Sequence, residues 1–97
     1  MEQSEDSPLK LAVRAVYGER NFSYGEPRIN HERTAQLWSA YLGIKVTPRQ
    51  VCMMNILQKI SRDRHREIPD NLVDIAGYAE NAHLCWQVHL LGGLQTR

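Results

Sequence analysis

Ninety-seven residues, 42% hydrophobic and 24% charged, make one globular domain with a single core and little apolar area to spare. Twelve Lys/Arg against eleven Asp/Glu leave a formal net charge of +1, too balanced for a protein that holds duplex nucleic acid through phosphate contacts. No apolar run approaches the roughly 18 residues of a membrane span, and the acidic, polar start Met1–Ser7 is no secretory signal.

The two cysteines, Cys52 and Cys85, fall inside apolar helical patterns. They read as reduced core thiols of a cytoplasmic protein rather than as a disulfide framework. A chain of this size buries about 60–65% of its extended-chain surface, so homodimerisation is an ordinary way for it to gain stability, and a homodimer is expected.

In chain order, Ser7-Pro8 opens a first helix, with Ser as N-cap and Pro at the first helical position. Leu9, Ala12, Val13 and Val16 follow at the spacing of one helical face. Gly18 ends the helix, at a position where a left-handed residue is common. A long loop then says one thing twice, Tyr-Gly-Glu at 17–19 and again at 24–26.

Asn30 is suited to cap a second helix, with Ile29 as its hydrophobic staple. Thr34, Leu37, Trp38, Tyr41 and Leu42 form that helix's apolar stripe, and Gly43 closes it. Thr47-Pro48-Arg49-Gln50 is a capping box for a third helix. That helix carries Val51, Met53, Met54, Ile56, Leu57 and Ile60 as apolar positions, and Asn55, Lys59 and Arg62 on its polar side. A fourth helix starts near Pro69-Asp70, with Leu72, Val73, Ala76, Ala79, Ala82 and Trp86 on its apolar side, and ends at Gly92-Gly93.

No strand pattern occurs. The fold class is all-α, a small four-helix bundle with helices at about 8–18, 30–43, 48–64 and 69–91 and a long loop after the first. The whole chain, 1–97, is one domain, with 1–6 and 94–97 as fraying ends.

Several catalytic patterns are excluded by spacing. His31-Glu32 lacks a second His at position 35, which is alanine, so it is no zinc-protease motif. No glycine-rich phosphate loop or nucleophile elbow occurs. What remains is a candidate ligand set in which aromatic rings, guanidinium groups and an amine suit a planar, phosphorylated ligand such as a nucleotide. It comprises Arg20, Tyr24, Gly25, Arg28, Asn30 and Arg33 from the loop and the second helix, Lys59 and Arg62 from the third, and Tyr78 from the fourth. The same loop residues also suit simple packing across a bundle.

Asp70 and Asp74 lie one helical turn apart. They either hold Mg²⁺ together with ligand phosphates, or Asp70 caps the helix and Asp74 pairs with Lys59 or Arg62 on the neighbouring helix.

The ordered series Val-Tyr-Gly-Glu-Arg, Tyr-Gly-Glu-Pro, Arg33-Thr-Ala-Gln-Leu-Trp38, Thr47-Pro-Arg-Gln-Val, Lys59-Ile-Ser-Arg62 and Asp70-Asn-Leu-Val-Asp74-Ile-Ala-Gly-Tyr78 resembles a family of small helical proteins of bacteriophages and prophages. The resemblance covers about residues 10–82 and brings no activity with it. More distantly the last helix is similar to the second metal motif of MazG-type all-α nucleoside triphosphate pyrophosphohydrolases. That likeness implies a dimer and a Mg²⁺ site of several carboxylates, here at best Asp70, Asp74 and Glu32; the family's first motif, Glu-Glu-x-x-Glu, is absent around Glu32.

Three functions follow as expectations. One is a non-catalytic protein that binds or sequesters a nucleotide, another a protein-interaction module, and the third a Mg²⁺-dependent nucleotide pyrophosphohydrolase.

Overall fold

A computed structural model describes residues 6–18 and 27–92, with the side chains of the second stretch described over 28–85. It contains four helices, α1 (Pro8–Tyr17), α2 (Pro27–Leu42), α3 (Pro48–His65) and α4 (Pro69–Gly92), and no strand among the described residues. The all-α, four-helix expectation is met, and the ends of α1, α3 and α4 fall within about a residue of the sequence reading.

Local chemistry explains the ends. The Ser7 hydroxyl accepts from the Lys10 amide at 3.2 Å, and Pro8 spends no donor in the first turn. Thr47 Oγ1 accepts from the Gln50 amide at 3.1 Å while Gln50 Oε1 accepts from the Thr47 amide at 2.9 Å, which completes the capping box of α3. Arg62, Arg64 and His65 sit in the last turn of α3, where positive charge complements the helix dipole.

Two endings differ from expectation. Asn30 does not cap α2, and Ile29 is no staple before it, because the helix already runs from Pro27 and holds both inside its first turn. A proline at N1 starts a helix without needing a capping side chain three residues later. Gly18 follows α1 in extended backbone, φ −96° and ψ −155°, rather than in the left-handed region. Its glycine is required by contact: a Cβ there would lie 2.3 Å from the Arg14 carbonyl oxygen. The left-handed residue is Gly43, φ +76°, where the chain leaves α2.

The short connection from α2 to α3 is tied by Ser39. Its hydroxyl donates to the Ala35 carbonyl at 2.6 Å and accepts from the Val46 amide at 2.7 Å. That bond delivers Val46 into a small core with Ala35 and Val51, against which Trp38 packs.

The fourth helix is the hub. It packs most extensively on α3, next on α1, and also touches α2, while α2 and α3 pack on each other. The α3–α4 turn is secured by Asp63, whose carboxylate accepts from the buried Asn71 amide at 3.0 Å and from the Ile68 backbone at 3.3 Å. On the other side, α1 lays Ala12 and Val16 against α4, and the Tyr17 hydroxyl donates to the Glu80 carboxylate. That hydrogen bond is the main reason the Tyr17 phenol is held above its ordinary pKa.

Gly77 lies in the middle of α4 under α1, where a Cβ would meet Val16 Cγ2 at 3.7 Å, an ordinary contact. Gly77→Ala is therefore expected to stabilise the chain by roughly 0.5–1 kcal/mol, since alanine costs less backbone entropy in a helix. A thermal melt showing a rise of several degrees supports this, and a fall would mean α1 cannot accept even one methyl group.

The buried core is made of small side chains: Ala12, Val16, Ala35, Val46, Val51, Cys52, Val73 and Ala82. Many large ones that the apolar patterns place inside stand outside, among them Leu9 and Val13 on α1, Leu37, Tyr41 and Leu42 on α2, Met53, Met54, Leu57 and Ile60 on α3, and Leu72 on α4. Tyr41 is 89% exposed and Leu57 63%. The neighbours that each helix meets cover only part of its apolar surface, so large apolar side chains on every helix are left in solvent.

Candidate functional site

Polar and reactive groups collect along the seam where α2 and α3 meet α4. Asp74, Tyr78, Asn81 and Cys85 stand at i, i+4, i+7 and i+11, so they line one stripe of α4. At the α3–α4 turn end of that stripe, Lys59 Nζ and Asp74 Oδ2 are 2.8 Å apart, with side chains only 16% and 22% exposed. One turn on, the Tyr78 ring meets the His31 ring of α2 edge-to-face, centroids 6.1 Å apart.

Burial holds the His31 imidazole below its ordinary pKa, so it is neutral near pH 7. The sign is that of a base with a lowered pKa: its contribution to stability is present at neutral pH and lost as pH falls below the ordinary imidazole value of about 6.5.

Farther along the stripe, Asn81 Oδ1 is buried without a hydrogen-bond partner. At the far end, the interaction of the Cys52 and Cys85 thiols across α3 and α4 holds the Cys52 pKa above its ordinary value and that of Cys85 below it. Arg28 and Glu32 of α2 lie within electrostatic reach of Cys85.

The structure thus brings Lys59, Asp74 and Tyr78 onto one seam, with Arg28 at its other end, and leaves other candidates apart. Arg62 and Arg33 are exposed, and Arg33 donates to the Asn30 carboxamide oxygen within α2 at 3.3 Å. Arg20, Tyr24 and Gly25 lie outside the described residues.

Asp74 is engaged by Lys59, as the ion-pair alternative expects, whereas Asp70 lies exposed within the first turn of α4, which begins at Pro69, rather than at its cap. Glu32 is near Cys85, eleven residues from Asp74 along α4, or about 16 Å at 1.5 Å per residue. Among the described residues no group of three or more His, Cys, Asp or Glu could hold a metal ion together. A Mg²⁺ ion at Asp70 and Asp74 would have to displace the Lys59 ammonium.

Sequence reasoning passed over His31, Asn81 as an orphan acceptor, and the Cys52–Cys85 pair. A signal for the cysteines was present, since 74, 78, 81 and 85 share a helical stripe and Lys59 was already assigned to face Asp74. His31 carried one too, because 31, 35 and 38 fall on the face that includes buried Ala35 and half-buried Trp38.

This architecture is that of a small all-α domain with a polar seam and no assembled metal centre among its described residues. The model of a domain of unknown function, DUF6378, matches residues 7–85, and the chain belongs to that family. It is 45% identical over 75 residues to the Gene 55 protein of Mycobacterium phage L5, covering 75% of this chain and 48% of that one. It is 41% identical over 78 residues to the Gene 55 protein of Mycobacterium phage D29, covering 76% and 50%. The chain therefore spans about half the length of the curated relatives it matches, and its kin are small phage proteins. No solved structure matches it. No described helix is long and apolar enough to cross a membrane.

Proposed function

We propose that this phage-family domain acts by assembly, as a non-catalytic helical interaction module whose first partner is a second copy of itself. The observation that carries this is surface. Among the described residues many large apolar side chains stand outside, with Met53, Met54, Leu57 and Ile60 on one side of α3, and such patches mark association sites. A net charge of +1 sets up no strong repulsion between two copies. Light scattering at tens of micromolar is expected to return twice the chain mass; a monomer would overturn the reading.

A second reading, binding of a nucleotide or another phosphorylated small molecule, is favoured by one feature of the seam. Asn81 offers a buried, unused acceptor one turn from the Tyr78 and His31 rings, which suits the amino group and flat face of a base. Arg28 stands beyond it as a cation. Lys59, a phosphate candidate, is engaged by Asp74, so a phosphate would have to compete with that ion pair. Calorimetry with nucleoside mono-, di- and triphosphates and cyclic dinucleotides is expected to show heat that Asn81→Leu removes; silence across the panel would exclude it. Pyrophosphohydrolysis is the least supported reading, because Asp70, Asp74 and Glu32 do not converge.

A further inference from the structure

On the outer side of α3, Arg49, Met53, Leu57, Ile60 and Arg64 fall within an arc of about 80°. That arc points away from α4, which meets Lys59 through Asp74 at 2.8 Å and Asp63 through Asn71 at 3.0 Å. It also points away from Val51, which is buried with Ala35 of α2. All five side chains are exposed, Met53 by 42%, Leu57 by 63% and Ile60 by 45%. The ridge reads nearly the same in both directions: an arginine at each end, methionine or isoleucine one turn in, leucine at the centre. A two-fold interface needs a surface of this kind, because the same patch is used by both copies and must complement itself.

The charges on this ridge are of one sign. Asp63 is the only acid of α3, and it is turned to Asn71 of α4. Among the described residues neither Arg49 nor Arg64 is held in an ion pair. With a dyad beside Leu57, two antiparallel α3 helices set Met53 against Ile60 of the partner subunit and Arg49 against Arg64 of the partner subunit. The apolar centre is then self-complementary, but each end brings two guanidinium groups together. We propose that in the homodimer inferred above, on which this site depends, each end of an α3–α3 contact binds a doubly charged oxyanion, a phosphate ion or a phosphoryl group, between Arg49 of one copy and Arg64 of the other. Such an anion offers each guanidinium a bidentate partner and supplies the charge complement that the two copies lack.

The site also sets the crossing angle. Arg49 and Arg64 are about 22 Å apart along the helix axis, so each lies about 11 Å from the dyad. Helices crossing at about 20° part by roughly 4 Å at that point, within reach of two arginine side chains, whereas a crossing near 50° parts them by roughly 9 Å. The shallow crossing is the one that assembles the site, and by symmetry it does so twice per dimer. An anion that binds the dimer and not the single chain tightens association by mass action.

The test measures the dimer dissociation constant of the full chain by sedimentation, at one pH and one ionic strength, in chloride, phosphate, sulfate and AMP. Screening is equal at matched ionic strength, so a difference between anions reports binding. Association about tenfold tighter in about 10 mM phosphate or sulfate than in chloride is expected. Equal effects of phosphate and AMP assign the site to the free ion, and a stronger effect of AMP assigns it to a phosphoryl group on a larger molecule. Arg64→Gln should keep the dimer and lose the response to phosphate. Arg64→Glu should tighten the dimer in chloride and also lose the response, because its carboxylate faces Arg49 of the partner subunit. Helical circular dichroism should be unchanged in both, since the side chain is exposed. A wild-type dimer of equal strength in every anion, or an Arg64→Glu dimer weaker than wild type, would overturn the anion site and leave the dimer standing. A monomer in every buffer would overturn the dimer and the site together.

Discussion

Leu57→Glu is expected to turn a dimer into a monomer without unfolding the chain. Leu57 is 63% exposed and lies between Met53 and Ile60 on the outer side of α3, so a carboxylate there meets solvent in the isolated subunit and costs little. In an interface the same carboxylate is taken out of water beside apolar side chains with no partner. An unpaired buried charge costs several kcal/mol, enough to weaken association by about a thousandfold or more.

Light scattering of Leu57→Glu at tens of micromolar should thus give about 11.2 kDa, with helical circular dichroism unchanged. Tyr41→Glu, on the outer side of α2 where the ring is 89% exposed, serves as the comparison. Dissociation by both variants would place α2 and α3 in one interface, and dissociation by Leu57→Glu alone would confine it to α3. A wild-type dimer indifferent to both substitutions would remove these faces from the interface.

The second large effect concerns Lys59 and Asp74. Both are about four-fifths buried and meet at 2.8 Å, so removing one leaves the other desolvated. For fully buried pairs such a deletion costs about 3–5 kcal/mol, and with the solvent access seen here about 1–2 kcal/mol is expected for Asp74→Leu. In a chain of this size that is a fall in melting temperature of about 5–15 °C. The joint replacement Lys59→Met with Asp74→Leu should recover most of the loss, because apolar groups of similar volume need no partner. If Asp74→Leu were neutral by itself, the ammonium would have another way to be solvated, and Lys59 would regain its claim as a phosphate ligand. Destabilisation with recovery in the double variant marks the pair as structural.

This pair also shows where sequence reasoning reaches. The spacing of Asn55, Lys59 and Arg62 against Asp74, Tyr78 and Asn81 anticipates two polar stripes on antiparallel helices, and Lys59 does find Asp74. The same spacing promotes Arg62 to the seam, whereas it stands exposed near the end of α3, where a cation complements the dipole without needing a partner. His31 was legible only as a failed metal motif. Its place against Tyr78 depends on how α2 crosses α4, and no local pattern encodes a crossing angle.

What the sequence by itself determined is the set of helices and most of their ends. Ser7-Pro8, the Thr47–Gln50 capping box, Pro69 and the glycines at 18 and 43 act through hydrogen bonds and backbone sterics within a few residues. Those causes are local, so a reader of residues can follow them. Only the tertiary structure decided which edge of each apolar stripe is covered. The periodicity that places Leu57, Tyr41 and Leu9 on apolar faces says nothing of how wide a neighbour each face meets. The helices share one another in pairs around α4, bury their small residues at the closest approaches, and leave the large ones outside. That division leaves large apolar side chains of all four helices at the surface of the described chain.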